Sequence, residues 1–277
     1  MTWQCLGAID PKALWDSRLQ LHWAAQAAAG VGRTLLPKQV DFSQESLEWS
    51  PAHGAFLQDV VDAPTPFCGG VRLRDMTLLL LDSQGSVIDE MPMNGRTLTE
   101  GYEFFASRTG SLLGREVMIA RPPDGMPPHA VAEGATFNAD PRYLEELERH
   151  FSDAYQILCA AREHERVLSA VRCWPHHFDI ALLITLSGSG EEARTVGVGM
   201  APGDVAIREP YYYITPWPHP KELSLPALPY GRWNRDGWFG ALLLATEIAT
   251  IPCERQPEAV TRFVDEATQH CRQLASE

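Results

Sequence analysis

The chain has 277 residues, 23 Lys+Arg against 36 Asp+Glu, and a formal net charge of -13. That balance argues against a protein that grips DNA or RNA, because phosphate contacts need a basic face. It argues equally against a polybasic membrane-surface protein, and no apolar run approaches the roughly 20 residues that cross a bilayer.

Hydrophobic content of 45% and charged content of 21% are ordinary for a globular chain. At roughly 150 residues per domain the length suggests one large or two small domains. The six cysteines form no CxxC pair and match no zinc spacing. The sequence start, Met1-Thr2-Trp3-Gln4-Cys5, lacks the pattern of a secretory signal. Together these predict a cytoplasmic, soluble protein with reduced thiols.

Asp10-Pro11 predicts a helix opening, with Asp as N-cap and Pro in the first turn. Leu14, Arg18, Leu21, Ala25 and Ala28 recur at helical spacing, and Gly30 and Gly32 read as the stop. Extended segments follow. Leu47–Leu57 carries Trp49 and His53. Val71–Asp82 contains Leu78–Leu81, which is apolar on both faces and so belongs to a central strand. Ser83–Ser86 is a turn and Val87–Met93 a returning strand. Thr97 and Glu100 have the spacing of a capping box, opening a helix to Leu113-Gly114. Arg115–Ala120 reads as a further strand. Pro122–Pro128 holds four prolines, cannot be helix or central strand, and reads as a linker.

After it, Asp140-Pro141 repeats the helix opening. Leu144, Leu147, Phe151, Tyr155 and Leu158 mark one face, and Glu145, Glu146 and Arg149 the other, to about Arg166. Strands are expected over Val171–Leu186, Arg194–Met200 and Tyr211–Thr215. Pro216–Pro229 is a proline-rich loop, Trp238–Ala245 is strand or helix, and Gln256-Pro257 opens the last helix. The expected class is α+β: mostly antiparallel sheets covered by three or four helices. Residues 1–121 and 140–277 form two halves joined by a linker at 122–139, or one continuous domain. Both halves open Asp-Pro-basic-x-Leu, a faint sign of internal repetition.

The densest segment is Trp174-Pro175-His176-His177-Phe178-Asp179. On a continuous strand, side chains alternate faces, so Phe178, Ile180, Leu182, Ile184 and Leu186 face the core. His177 and Asp179 then share the opposite face. Imidazole titrates near neutral pH and a carboxylate neighbour orients it, a pairing suited to general acid–base chemistry. A satisfied polar network is the plainer reading of the same pair.

On the next strand Gly197 and Gly199 share a face, and on the one after it Tyr211 and Tyr213 do. These predict either a pocket with a glycine floor and two phenols, or tyrosine rings lying over the glycines. Trp217 and His219 alternate with prolines in a stiff loop. The candidate catalytic residues are therefore His177, Asp179 and, from the first half, His53. The candidate ligand-binding residues are Trp174, Tyr211, Tyr213, Trp217 and His219. A metal site drawn from His53, His176, His177, Asp179 and His219 is a lesser alternative, since adjacent strand histidines point apart. No Walker A, GxGxxG or nucleophile-elbow pattern is present.

Trp174…Phe178-Asp179-Ile180-Ala181 resembles the Trp-x-x-Phe-Asp-Leu-Ala strand of the bacterial family DUF5996. Leu19-Gln20 in an opening helix and Trp49…His53 in the first strand resemble that family too. The helices from Thr97 and Asp140, the aromatic-proline stretch Tyr211–Pro220 and a last helix with Phe263 follow in like order. The chain departs from the family at Pro175-His176-His177, where the family has small residues. The resemblance therefore favours Trp174, Asp179 and His53 over His177, and it brings no activity or cofactor with it. Two functions stay open: a small-molecule enzyme in an aromatic-lined pocket, or a non-catalytic protein binding a small molecule or a partner. Cofactors and oligomeric state are left open.

Overall fold

The computed structural model describes residues 3–163, 169–220 and 225–276. Among these residues the fold is α+β, with five α-helices and two antiparallel sheets of five and six strands. Two compact units divide it. The N-terminal unit is Asp16–Glu148 with Arg172–Phe178, and the C-terminal unit is Met1–Trp15, Arg149–Val171 and Asp179–Glu277. The division falls inside a helix and not at Pro122–Pro128.

Asp10, in the C-terminal unit, caps a short 3-10 turn, its carboxylate accepting from the Lys12 N–H. This leads into α1 (Trp15–Leu35). Gly30 and Gly32 do not stop α1. They let neighbouring chain approach: a Cβ on Gly30 would stand 2.6 Å from Ile119, and one on Gly32 would stand 2.2 Å from the Gln44 carbonyl. From Ser17 to Gly32 every residue of α1 is buried, so the helix is central and its polar residues need partners.

The expected strand Leu47–Leu57 is two strands, β1 (Glu48–Ser50) and β2 (Ala55–Leu57), folded about a turn that holds His53. β3 (Phe67–Arg72), β4 (Thr77–Asp82) and β5 (Val87–Pro92) complete a meander in the order β1-β2-β3-β4-β5. β4 is buried on both faces, as its leucine run predicts, whereas β5 is the exposed edge. α2 (Leu98–Leu113) packs on β4. Its capping box is complete: the Thr97 hydroxyl accepts from the Glu100 N–H, and the Glu100 carboxylate accepts from the Thr97 N–H at 2.7 Å. Gly114 closes α2 in the left-handed region.

Arg115–Ala120 belongs to no sheet. Its Val117 and Ile119 are buried, and the Ala120 N–H donates to the Thr34 hydroxyl instead of a strand. Apolar alternation registered the burial; ladder pairing needed a neighbouring edge that the fold does not supply.

α3 (Pro141–Glu163) begins in the N-terminal unit. Its expected end at Arg166 lies outside the described residues. Glu146, expected on a solvated face, is fully buried, and so is His150. β6 (Arg172–Trp174) lies in the N-terminal unit, where Cys173 pairs with Leu47 through two backbone hydrogen bonds.

The C-terminal unit contains β7 (Asp179–Ser187), β8 (Arg194–Ala201), β9 (Tyr211–Trp217), β10 (Arg232–Asn234) and β11 (Gly240–Leu244). These five strands of the six-stranded sheet run in the order β10-β11-β9-β8-β7. Trp238–Ala245 resolves into β11 followed by α4 (Ala245–Ala249). α5 (Gln256–Ser276) lies across β8, β9 and β11. Its buried Ala259, Phe263, Ala267 and Cys271 recur every fourth residue, the spacing that puts one helix stripe on a sheet. Fully burying the Phe263 ring contributes about 1.5–3 kcal/mol.

Cys5 and Cys253 form a disulfide, with Cα atoms 5.2 Å apart. This corrects the expectation that every thiol is reduced. The partners are 248 residues apart, so only the fold reveals the pair. Gln256 reinforces this junction: its side-chain carbonyl accepts from Trp3 Nε1 and the Leu6 N–H, each at 3.0 Å, and its amide donates to the Leu6 carbonyl. Cys68, Cys159, Cys173 and Cys271 take part in no disulfide. No helix is long and apolar enough to cross a membrane among the described residues.

Candidate functional site

The continuous strand Val171–Leu186 does not exist. It breaks at a turn over Pro175–Phe178, between β6 and β7. The His177 and Phe178 N–H groups both donate to the Trp174 carbonyl, at 3.1 and 2.7 Å. Phe178 takes a left-handed φ of 62°, a conformation costing roughly 1–2 kcal/mol for a non-glycine residue. Its ring recovers this by burial. It stacks on His22 with centroids 5.1 Å apart and meets Phe56 edge-on at 6.3 Å.

The turn cancels the alternation that put His177 and Asp179 on one strand face. His176 and His177 are both exposed, and their rings lie 4.3 Å apart instead of on opposite faces. Trp174 is half-buried and meets the His176 ring edge-on at 6.4 Å.

Beneath this turn lies a polar cluster that sequence reasoning missed. Arg18, His22 and Gln26 stand four residues apart on one stripe of α1, all buried. Arg18 Nη2 donates to the His177 carbonyl at 3.3 Å, and His22 Nε2 donates to the Pro175 carbonyl at 2.6 Å. The Gln26 amide donates to that same carbonyl, and its own carbonyl accepts from Arg33 Nη2. Arg33 in turn pairs with Glu45 at 2.7 Å. Burial, and then the Arg18 charge, lower the His22 pKa from 6.5 to about 3. His22 is therefore a neutral donor. The cluster holds the turn rather than doing proton chemistry. Its signal was a stripe of hydrogen-bonding side chains at i, i+4, i+8 in a largely apolar helix, where His22 by itself reads as a solvated helix residue.

His53 is a turn residue between β1 and β2, and both ring nitrogens are occupied. Nε2 donates to the Gly85 carbonyl at 2.9 Å, which leaves Nδ1 to accept from the Ser50 hydroxyl at 2.8 Å. It ties two turns of the meander together, and its imidazole has no nitrogen left for substrate.

In the C-terminal unit the structure does assemble a group of predicted residues. Tyr213 and Gly199 are register partners on β9 and β8. A Cβ on Gly199 would stand 2.5 Å from the Tyr213 hydroxyl, so the phenol ring lies across the glycine. The Tyr213 hydroxyl donates to Asp179 Oδ2, and Asp179 is buried. Tyr211, two residues earlier on the same face, donates to Asp204 Oδ2 at 2.5 Å and stacks on Trp238 with centroids 6.4 Å apart. Asp204 Oδ1 accepts from the Ala206 and Ile207 N–H groups, so the carboxylate is fixed by its own loop. Both phenols are thus committed to carboxylates.

Beyond Tyr213 the rings continue as a more open row. Trp217 meets His219 edge-on at 5.2 Å, and His219 meets Phe239 at 6.5 Å. Phe239 stacks on Trp233 at 5.8 Å, and Trp233 reaches His270 of α5 at 6.5 Å. Trp217 is 51% exposed. Pro216, Pro218 and Pro220 alternate with Trp217 and His219, and His219 Nδ1 donates to the Pro216 carbonyl at 3.1 Å. Trp233 Nε1 donates to the Pro226 carbonyl at 2.8 Å.

Among the described residues no three His, Cys, Asp or Glu side chains are grouped as metal ligands would be. No family model, curated protein or solved structure matches the chain.

Proposed function

We propose that the C-terminal unit is a small-molecule-binding module, in a chain related to the DUF5996 family. The observation that carries this reading is the row Trp217–His219–Phe239–Trp233–His270. Its rings are in series, partly open to solvent and braced by proline and by α5. Rings that are already ordered lose little entropy when a ligand stacks on them. The acidic chain favours a flat neutral or cationic ligand over an anionic one. Behind the row, the Tyr213–Asp179 and Tyr211–Asp204 pairs act as fixtures of the sheet face.

A catalytic reading keeps one observation in its favour, the bond from the Tyr213 phenol to Asp179. It would use Tyr213 as the donor and Asp179 as its orienter, without His177.

A thermal-shift and tryptophan-fluorescence screen of flat neutral and cationic compounds tests the binding reading. Hits should be lost in Trp217→Ala and Trp233→Ala and kept in Tyr213→Phe. Hits that survive both tryptophan variants would refute the placement. Hits lost only in Tyr213→Phe would favour the catalytic reading.

A further inference from the structure

The Pro122–Pro128 stretch does not behave as a linker. It closes one side of a cavity of about 360 Å³ in the N-terminal unit, walled by Trp23, Leu98, Pro122, Pro123 and Met126, with Arg121 at the rim. The loop is held at both ends: before it, the Ala120 carbonyl accepts from Arg33 Nη1 at 3.2 Å and the Ala120 N–H donates to the Thr34 hydroxyl at 2.8 Å. Trp23 Nε1 donates to the Pro127 carbonyl at 3.0 Å, and His129 Nε2 lies 3.2 Å from Asp16 Oδ1. Four prolines within seven residues remove most of its remaining freedom.

Arg121 is the informative group. Its guanidinium carbon stands 4.0 Å above the Tyr102 ring centroid. It makes no hydrogen bond or ion pair among the described residues. Asp124 lines the same cavity and is still not paired with it. Stacking on Tyr102 occupies one face of the planar group and fixes its orientation. The edge, with its fork of N–H donors, stays available to a planar bidentate acceptor.

We propose that this cavity binds a small monocarboxylate with a flat apolar body. The Arg121 edge takes the carboxylate, and the body lies against Trp23, Leu98 and Met126. Asp124 at the same opening repels a doubly charged group, which favours a carboxylate over a phosphate. This site is separate from the aromatic row of the C-terminal unit and does not rest on it.

The test titrates benzoate, benzamide and inorganic phosphate into the full chain, following the Met126 methyl and Trp23 indole N–H resonances. Benzoate is expected to move both and to bind about ten-fold more tightly than benzamide, the difference a charge-assisted bidentate contact supplies. Arg121→Gln should bring benzoate down to the benzamide level and leave benzamide unchanged. Arg121→Lys, which keeps the charge but not the fork, should lie between. Equal binding of benzoate and benzamide, a benzoate preference that survives Arg121→Gln, or phosphate binding as tight as benzoate would each overturn the proposal.

Discussion

Two buried histidines give the fold a calculable sensitivity to acid. His22 in the N-terminal unit and His150 in the C-terminal unit are each about 1% exposed, and each has its pKa lowered from 6.5 to about 3. For His150 the cause is burial alone; for His22 it is burial and then the Arg18 charge. A base whose folded pKa is depressed stays neutral in the fold, while the unfolded chain takes up the proton. The stability it contributes is present above pH 6.5 and is lost as pH falls from there toward 3.

In that window each histidine costs about 1.4 kcal/mol per pH unit. Integrating the linkage from pH 7 to pH 5 gives about 2 kcal/mol for each. Urea unfolding at the two pH values should therefore show each unit losing about 2 kcal/mol from its histidine. His22→Gln keeps a donor for the Pro175 carbonyl and should remove the N-terminal unit's share. Proton NMR gives the direct check: of nine histidines, these two should stay neutral down to pH 4, about two units below the ordinary imidazole range. Imidazole signals that all titrate between roughly pH 5.5 and 7.5 would refute the reasoning, and so would a stability profile unchanged by His22→Gln.

Other parts of the structure make further predictions. Gly199→Ala pushes a Cβ into the Tyr213 ring and should cost about 1–3 kcal/mol in urea unfolding; a Tyr213→Ala background should relieve most of that cost, and an additive double mutant would contradict the contact. Thr97→Ala removes the N-cap of α2 and should cost about 1 kcal/mol, measured the same way; a stability unchanged from wild type would show that the capping box is not formed in solution. Thiol titration of the chain unfolded without reductant should find four reactive cysteines, and six after reduction, because Cys5 and Cys253 are joined. Six from the start would place that pair in the reduced state.

Local signals were legible in the sequence wherever one residue pattern has one physical outcome. Asp10-Pro11 opened a helix, Thr97…Glu100 formed a capping box, and Leu78–Leu81 lay in a central strand. Gln256-Pro257 began a helix with a four-residue apolar stripe. The α+β class followed from these. The pairing of glycine and tyrosine faces on β8 and β9 was legible as well, and the structure selects the arrangement in which Tyr213 covers Gly199.

Only the tertiary structure could decide the rest, because each of those features depends on a partner distant in the chain. Gly30 and Gly32 look like a helix stop until Ile119 and Gln44 come against them. His22 looks solvated until the Pro175 turn covers it and Arg18 and Gln26 beside it. That turn in turn separates His177 from the alternation that seemed to pair it with Asp179, whose hydrogen-bond donor is Tyr213. Cys5 finds Cys253 across nearly the whole sequence. The proline run at Pro122–Pro128, stiff by composition, reads as a linker because sequence shows stiffness but not what a stiff segment leans on. The sequence determined where the backbone could be regular. Burial and long-range contact decided which polar side chains are structural and which remain open to a ligand.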